Sequence, residues 1–177
     1  MKTKYPLFLS LLFVFMPFGY STVTDSAEQL LVPAGETYTL GGVHSYSAEV
    51  RIDGVLSAAG YSGVPGGGAL ELFAPKIYVS SSGRITADLL GYGPDLGPGR
   101  PAALTGCSKG AGAGYGGTGG GSAASKGGGI YGELLAPAEL GSGGGSGQCG
   151  GASGGAGGGA LNLVATELEL YGIISST

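Results

Sequence analysis

The chain has 177 residues, of which 41 are Gly, with 12 Asp+Glu against 8 Lys+Arg and a single His. Charged residues make up 11% and hydrophobic residues 42%, too apolar for a solvated disordered tail, and the lack of a strict Gly-X-Y period excludes collagen. The acidic balance offers no basic footprint for phosphates, which excludes nucleic acid as a partner, and the length suits one domain.

Residues 1–21 read as a secretory signal peptide. Lys2 and Lys4 give a positive start, Leu7 to Phe18 is an apolar run broken only by Ser10 and Pro17, and Gly19 and Ser21 put small residues before a cut at Thr22. The run is about a dozen residues, short of the roughly 20 that span a bilayer. No later segment reaches spanning length, so the mature chain is expected to have no membrane span and to be secreted or held at the cell surface. Cleavage near Ser21 removes two Lys, leaving 6 Lys+Arg against 12 Asp+Glu and a net charge of −6.

Residues 22–45 form a predicted N-terminal cap, in which Leu30 to Leu40 reads as two short strands around the turn Pro33-Ala34-Gly35. Residues 46–90 carry a repeat. Gly66-Gly67-Gly68-Ala69-Leu70-Glu71-Leu72-Phe73-Ala74 matches Gly157-Gly158-Gly159-Ala160-Leu161-Asn162-Leu163-Val164-Ala165. Each is followed by a second alternation and a Gly corner: Ile77-Tyr78-Val79 with Gly83-Arg84-Ile85, and Leu168-Glu169-Leu170 with Gly172-Ile173-Ile174. The earliest copy is Val50-Arg51-Ile52-Asp53-Gly54-Val55-Leu56. The period is two, that of a strand. It predicts inward Leu70, Leu72, Ala74, Ile77, Val79, Val50, Ile52, Leu168 and Leu170, with Leu56, Ile85 and Ile174 inward after each corner.

Residues 91–156 are a predicted Gly-rich excursion, within a stretch (91–160) that holds 29 of the 41 Gly. Two readings stay open for it: a flexible surface loop, or packed polyproline-II-like passes that only Gly permits. Its apolar island, Ile130 to Leu140, is expected to dock on the repeat body. Residues 157–177 supply a last copy, and the stop after Ile174-Ser175-Ser176 leaves an open edge from Leu161 to Ile174 that suggests a fragment of a larger protein.

Short strands, Gly corners and like residues at equivalent places predict an all-β parallel β-helix, a solenoid whose stacked rungs bury a column of aliphatics. The alternative is a β-sandwich of short hairpins.

Chemistry-bearing residues are sparse. Cys107 and Cys149 both lie in the excursion, and secretion makes a disulfide the expected state. Closing that loop stabilises by roughly 4 kcal/mol on the chain-entropy account. A metal needs more ligands at close spacing, His44 is far from either Cys, and the four Asp never fall in a calcium-roll frame, so no metal is expected. His44 has no nucleophile elbow to serve and reads as a surface residue near Tyr46; Ser142 lies in low-complexity sequence. Gly112-Ala113-Gly114-Tyr115-Gly116-Gly117 fits a dinucleotide pattern only as such a Gly-rich tract must, and no P-loop occurs, so no cofactor is expected. The weak catalytic alternative is a carboxylate pair, Asp53 and Asp88, with Arg84 and Arg100 as nearby cations, placed for polysaccharide cleavage. Thr37-Tyr38-Thr39 is too little for an ice-binding face.

The blocks at Gly66 to Ala74, Leu90 to Gly99 and Glu139 to Ser146 resemble the glycine-rich repeats of large secreted or cell-surface parallel β-helix proteins, over roughly residues 30–177. The resemblance implies a right-handed parallel β-helix in an extracellular adhesive or structural protein, and it supplies no catalytic residues. The expected function is therefore a non-enzymatic secreted or cell-surface structural or adhesive module. Its contacts, with surface proteins or glycans, would come from the Tyr-bearing Gly loops at Tyr61, Tyr92, Tyr115 and Tyr131. A carbohydrate-active enzyme or glycan binder is the alternative.

Overall fold

The computed structural model describes residues 22–64, 66–103, 109–123, 125–133, 135–149 and 151–177, so the expected signal peptide lies outside the described residues. Among them are ten strands and no helix. In chain order they are β1 (Thr24–Asp25), β2 (Gln29–Val32), β3 (Thr37–Leu40), β4 (Gly42–Ser45), β5 (Glu49–Ile52), β6 (Val55–Ala58), β7 (Ala69–Val79), β8 (Arg84–Thr86), β9 (Ala160–Leu170) and β10 (Ile173–Ser175).

The expected right-handed parallel β-helix is not what these strands build. They form two small sheets, one mixed and one parallel, with no closed solenoid among the described residues. The six-stranded sheet runs β1-β2-β5-β7, with β4 and β9 also on β7, and β1 runs antiparallel to β2. The four-stranded sheet is parallel throughout, in the order β10-β8-β6-β3. Period-two alternation reports which face is buried and says nothing about closure of a coil. A coil needs every rung to connect in the same way. Here β1 turns back antiparallel, β4 and β5 share the single long β7, and the Gly-rich segment replaces the connection from β8 to β9.

The pairing nevertheless brings matched residues side by side. Leu70 lies opposite Leu161, Leu72 opposite Leu163 and Ile77 opposite Leu168, in parallel. The result is rows of aliphatic side chains across the sheets: Leu30, Val50, Ile77 and Leu168; Val32, Ile52, Val79 and Leu170; and Tyr38, Leu56, Ile85 and Ile174. Parallel strands bury both faces or one, depending on what covers them. Here the inward row members from β2, β5, β6, β7 and β8 are fully buried and make one core. The ladder between β7 and β9 skips Pro75 and Thr166, because proline has no N–H to give, and the inward parity resets across that point.

The corner glycines are selected by space. Gly54, Gly83 and Gly172 stack on one another through Arg84 N–H to Gly54 O (2.9 Å) and Ile173 N–H to Gly83 O (3.1 Å). None has a positive φ, but a Cβ on any of them would run into carbonyl oxygens: of Pro33 and Glu36, of Ile52, and of Ser80 and Gly83 respectively.

Two substitutions check this packing. Leu72→Ala is expected to cost about 2–5 kcal/mol in urea unfolding, as for a fully buried leucine, and Leu168→Ala, at 52% exposure, less than half as much. Gly83→Ala should lower the unfolding midpoint by the equivalent of roughly 1–3 kcal/mol, the usual range for overpacking.

Candidate interaction surface

The carboxylates named from the sequence are tied into the framework. Asp53 takes a two-pronged bond from Arg51 (Nε at 2.8 Å, Nη2 at 3.2 Å), and the same guanidinium lies 4.3 Å over the ring of Tyr78. Asp88 accepts from Arg84 (2.6 Å), Ser175 Oγ (2.8 Å) and Thr177 N–H (2.9 Å). The Ser175 hydroxyl first, with Thr86, Arg84 and the Thr177 N–H, holds the Asp88 carboxyl well below the usual carboxylate range, outweighing its desolvation. The two carboxylates stand at opposite ends of the β6–β8 pair. Asp53 lies beside Ser82, before Val55 meets Arg84, and Asp88 lies beyond Thr86. The length of β8, roughly 10 Å at about 3.3 Å per residue, separates them. The structure thus places Arg84 with Asp88 and does not bring Asp53 to either of them. Arg100 is exposed in the Gly-rich segment.

Other sequence-marked residues also have structural partners. His44 is half-buried in β4, its Nε2 lying 3.0 Å from Gly41 O and its ring stacked on Tyr46 at 6.5 Å. The tyrosines of the Gly loops pair with each other: Tyr61 with Tyr92 and Tyr115 with Tyr131, each at 4.8 Å between ring centres. Tyr131 OH donates to Leu140 O (2.6 Å) and accepts from Ser142 Oγ (2.9 Å), which in turn accepts from Gly99 N–H (2.8 Å). Gly99 lacks a side chain because its Cβ would enter the Tyr131 ring. Ser142 is thereby a buried connector. A tyrosine pair the sequence reading did not single out closes one end of the body: Asp25 accepts from Tyr38 OH (2.8 Å) and Tyr46 OH (3.1 Å). Burial, then Asp25, pushes the Tyr46 phenol far above its ordinary value.

The Gly-rich segment is packed backbone to backbone. Gly114 N–H donates to Gly99 O (2.8 Å), Gly128 to Gly112 (2.9 Å), Gly145 to Ala111 (2.9 Å), Gly144 to Gly155 (2.9 Å) and Gly157 to Tyr92 (2.9 Å). At Gly114, Gly119, Gly128 and Gly143 an added Cβ would strike a carbonyl oxygen of the neighbouring pass. Of its apolar island, Leu140 packs towards Gly68, while Ile130 is 65% and Leu135 96% exposed. Cys149 is not free, and Cys107 lies outside the described residues.

What stands out is the end formed by β9 and β10. Leu161 and Leu163 are only half-buried, Leu168, Leu170 and Ile173 are about half in water, and among the described residues each strand has a sheet neighbour on one side only. A groove of about 420 Å³ flanks this end, with Leu161 and Ile174 as its floor and Tyr115, Pro137 and Glu139 of the Gly-rich segment as its wall. Tyr115 OH lies 3.4 Å from Glu139. The outward charges beside it are balanced in place: Lys76 bonds Glu167 (3.4 Å) and Glu169, and Asn162 bonds Glu71 (3.2 Å). Among the described residues no cluster of three His, Cys, Asp or Glu is arranged to hold a metal, and no helix is long and apolar enough to cross a membrane. No protein-family model, curated protein or solved structure matches the chain.

The Asp88 network yields a pH test. A depressed carboxylate contributes stability above the unfolded-state pKa and loses it as pH falls through the folded value. Asp88→Asn should lower Tm at neutral pH, and the gap to the parent should narrow below about pH 4.

Proposed function

We propose that the chain is a non-enzymatic, secreted or cell-surface structural or adhesive module that acts through its open end. The observation that carries this reading is that Leu168 and Leu170, the last members of two aliphatic rows whose other members are buried, stand about half exposed. Exposed contiguous apolar surface marks an interaction site. Two further points support it. The carboxylates available for hydrolysis are held apart by the strand geometry and occupied by Arg51 and by Arg84 with Ser175. The Gly-rich blocks also resemble those of secreted surface proteins. Export rests on residues 1–21, and in an oxidising compartment Cys107 and Cys149 pair with one another.

Three measurements test the proposal. The exported chain should begin at Thr22 on N-terminal sequencing, and its cysteines should alkylate only after reduction. A polysaccharide panel should release no reducing ends; release abolished by Asp53→Ala or Asp88→Ala would overturn the reading. The folded chain should bind a hydrophobic dye at the open end, with several-fold less binding after Leu168→Ser and Leu170→Ser.

A further inference from the structure

The open end also specifies its partner, an inference that rests on the proposed role of that end. Ala160 N–H bonds back to Gly68 O (2.8 Å) and Tyr171 N–H to Val79 O (2.9 Å). Ala160 belongs to the outward set of β9, and Tyr171 continues that alternation one residue past the strand's end. Backbone groups alternate sides along a strand, so the outward residues bond towards β7 and the inward set presents N–H and C=O at the free edge. That set is Leu161, Leu163, Ala165, Leu168 and Leu170. The same residues carry the unfinished aliphatic row, so an occupant must bring both a strand edge and an apolar face.

We propose that the occupant is a second copy of this chain, its β9 laid antiparallel along the first about a two-fold axis between Ala165 and Thr166. In this register Leu161 faces the second copy's Leu170, and Leu163 faces its Leu168. Both are inward pairs that exchange backbone hydrogen bonds. The match exists because the inward parity resets at Thr166, opposite Pro75, so the bend of each β9 lies on the axis and meets the bend of the other. On the outer face Asn162 comes opposite the second copy's Glu169, and Val164 opposite its Glu167. An amide donor meets a carboxylate, and no two like charges are opposed. Lys76 stays beside both glutamates.

The opposite end of the six-stranded sheet does not offer the same unfinished row. There β1 runs antiparallel over β2, and Leu30, Leu31 and Val32 are already buried. Head-to-tail addition therefore finds no matching unfinished leucine row on the six-stranded sheet, and the isologous pair is the arrangement that matches both the edge and the row.

Val164 is exposed and on the outer face, so changing it reads the register without unfolding the body. The mature chain should sediment as a dimer at micromolar concentration. Val164→Glu puts two like-charge contacts into each dimer and should raise the dissociation constant about tenfold; Val164→Lys, which faces Glu167, should lower it, with a dependence on salt. Leu168→Lys should give a folded monomer. A monomer at all accessible concentrations, or a dimer indifferent to all three substitutions, overturns the two-fold pairing. If dye binding at Leu168 and Leu170 persists in such a monomer, the open end stands as an interaction surface for some other partner. If the dye fails to bind the monomer, that reading falls as well.

Discussion

The body depends on in-register parallel pairing, which sets aliphatic side chains in rows that cross from strand to strand. Leu30, Val50 and Ile77 share one row, and Leu56 and Ile85 share another, all fully buried. Each such side chain contributes about 1.5–3 kcal/mol on leaving water. The register is what makes them additive, since a slip by one residue would turn a whole row outward. The corner glycines keep that register. Gly54, Gly83 and Gly172 let successive corners rest against carbonyl oxygens, so a side chain there would push neighbouring strands out of alignment.

Glycine serves a second purpose between β8 and β9. Ordering it costs more backbone entropy than any other residue, and this segment has little apolar surface to offset that cost. Close approach supplies what side chains do not: passes near enough for direct backbone hydrogen bonds, each worth roughly 0.5–1.5 kcal/mol net, with the rings of Tyr92 and Tyr131 where side chains on Gly97 and Gly99 would stand. Where the segment leaves and returns, Gly91 N–H bonds Gly157 O (2.8 Å) and Gly159 N–H bonds Ala87 O (2.7 Å), which holds its two ends together beside β8.

The inward faces were legible because alternation is a local property. Leu70, Leu72, Ile77, Val79, Val50, Ile52, Leu56 and Ile85 could be placed by reading every second residue, and all are buried. Leu168 and Leu170 have the same pattern and remain half exposed, since burial also requires a neighbour that periodicity does not supply. Architecture was less legible for the same reason. A repeat states which residues are equivalent, not whether successive copies close into a coil, so two separate sheets and an antiparallel β1 could not be anticipated from it. Asp53, at the corner before Gly54, and Asp88, after Ala87 of the next copy, read as neighbours, but Asp53 precedes β6 and Asp88 follows β8, at opposite ends of that pair. The Asp25 bridge between Tyr38 and Tyr46 carries no spacing signal at all.

The two ends of the body differ in a way that limits what the open one can accept. At the closed end the short antiparallel β1 satisfies the edge of β2, and the Tyr38–Asp25–Tyr46 bridge lies beside it. At the open end the free backbone groups and the half-exposed aliphatics belong to the same residues of β9. An apolar small molecule such as a dye covers the leucines but forgoes the hydrogen bonds of their N–H and C=O groups, so it binds more weakly than a strand. A hydrophilic ligand would satisfy the backbone and leave the row wet. Only an extended chain with apolar side chains on one face meets both demands at once, which makes a strand the tightest occupant of this surface and the register of side chains across the edge the determinant of which strand is preferred.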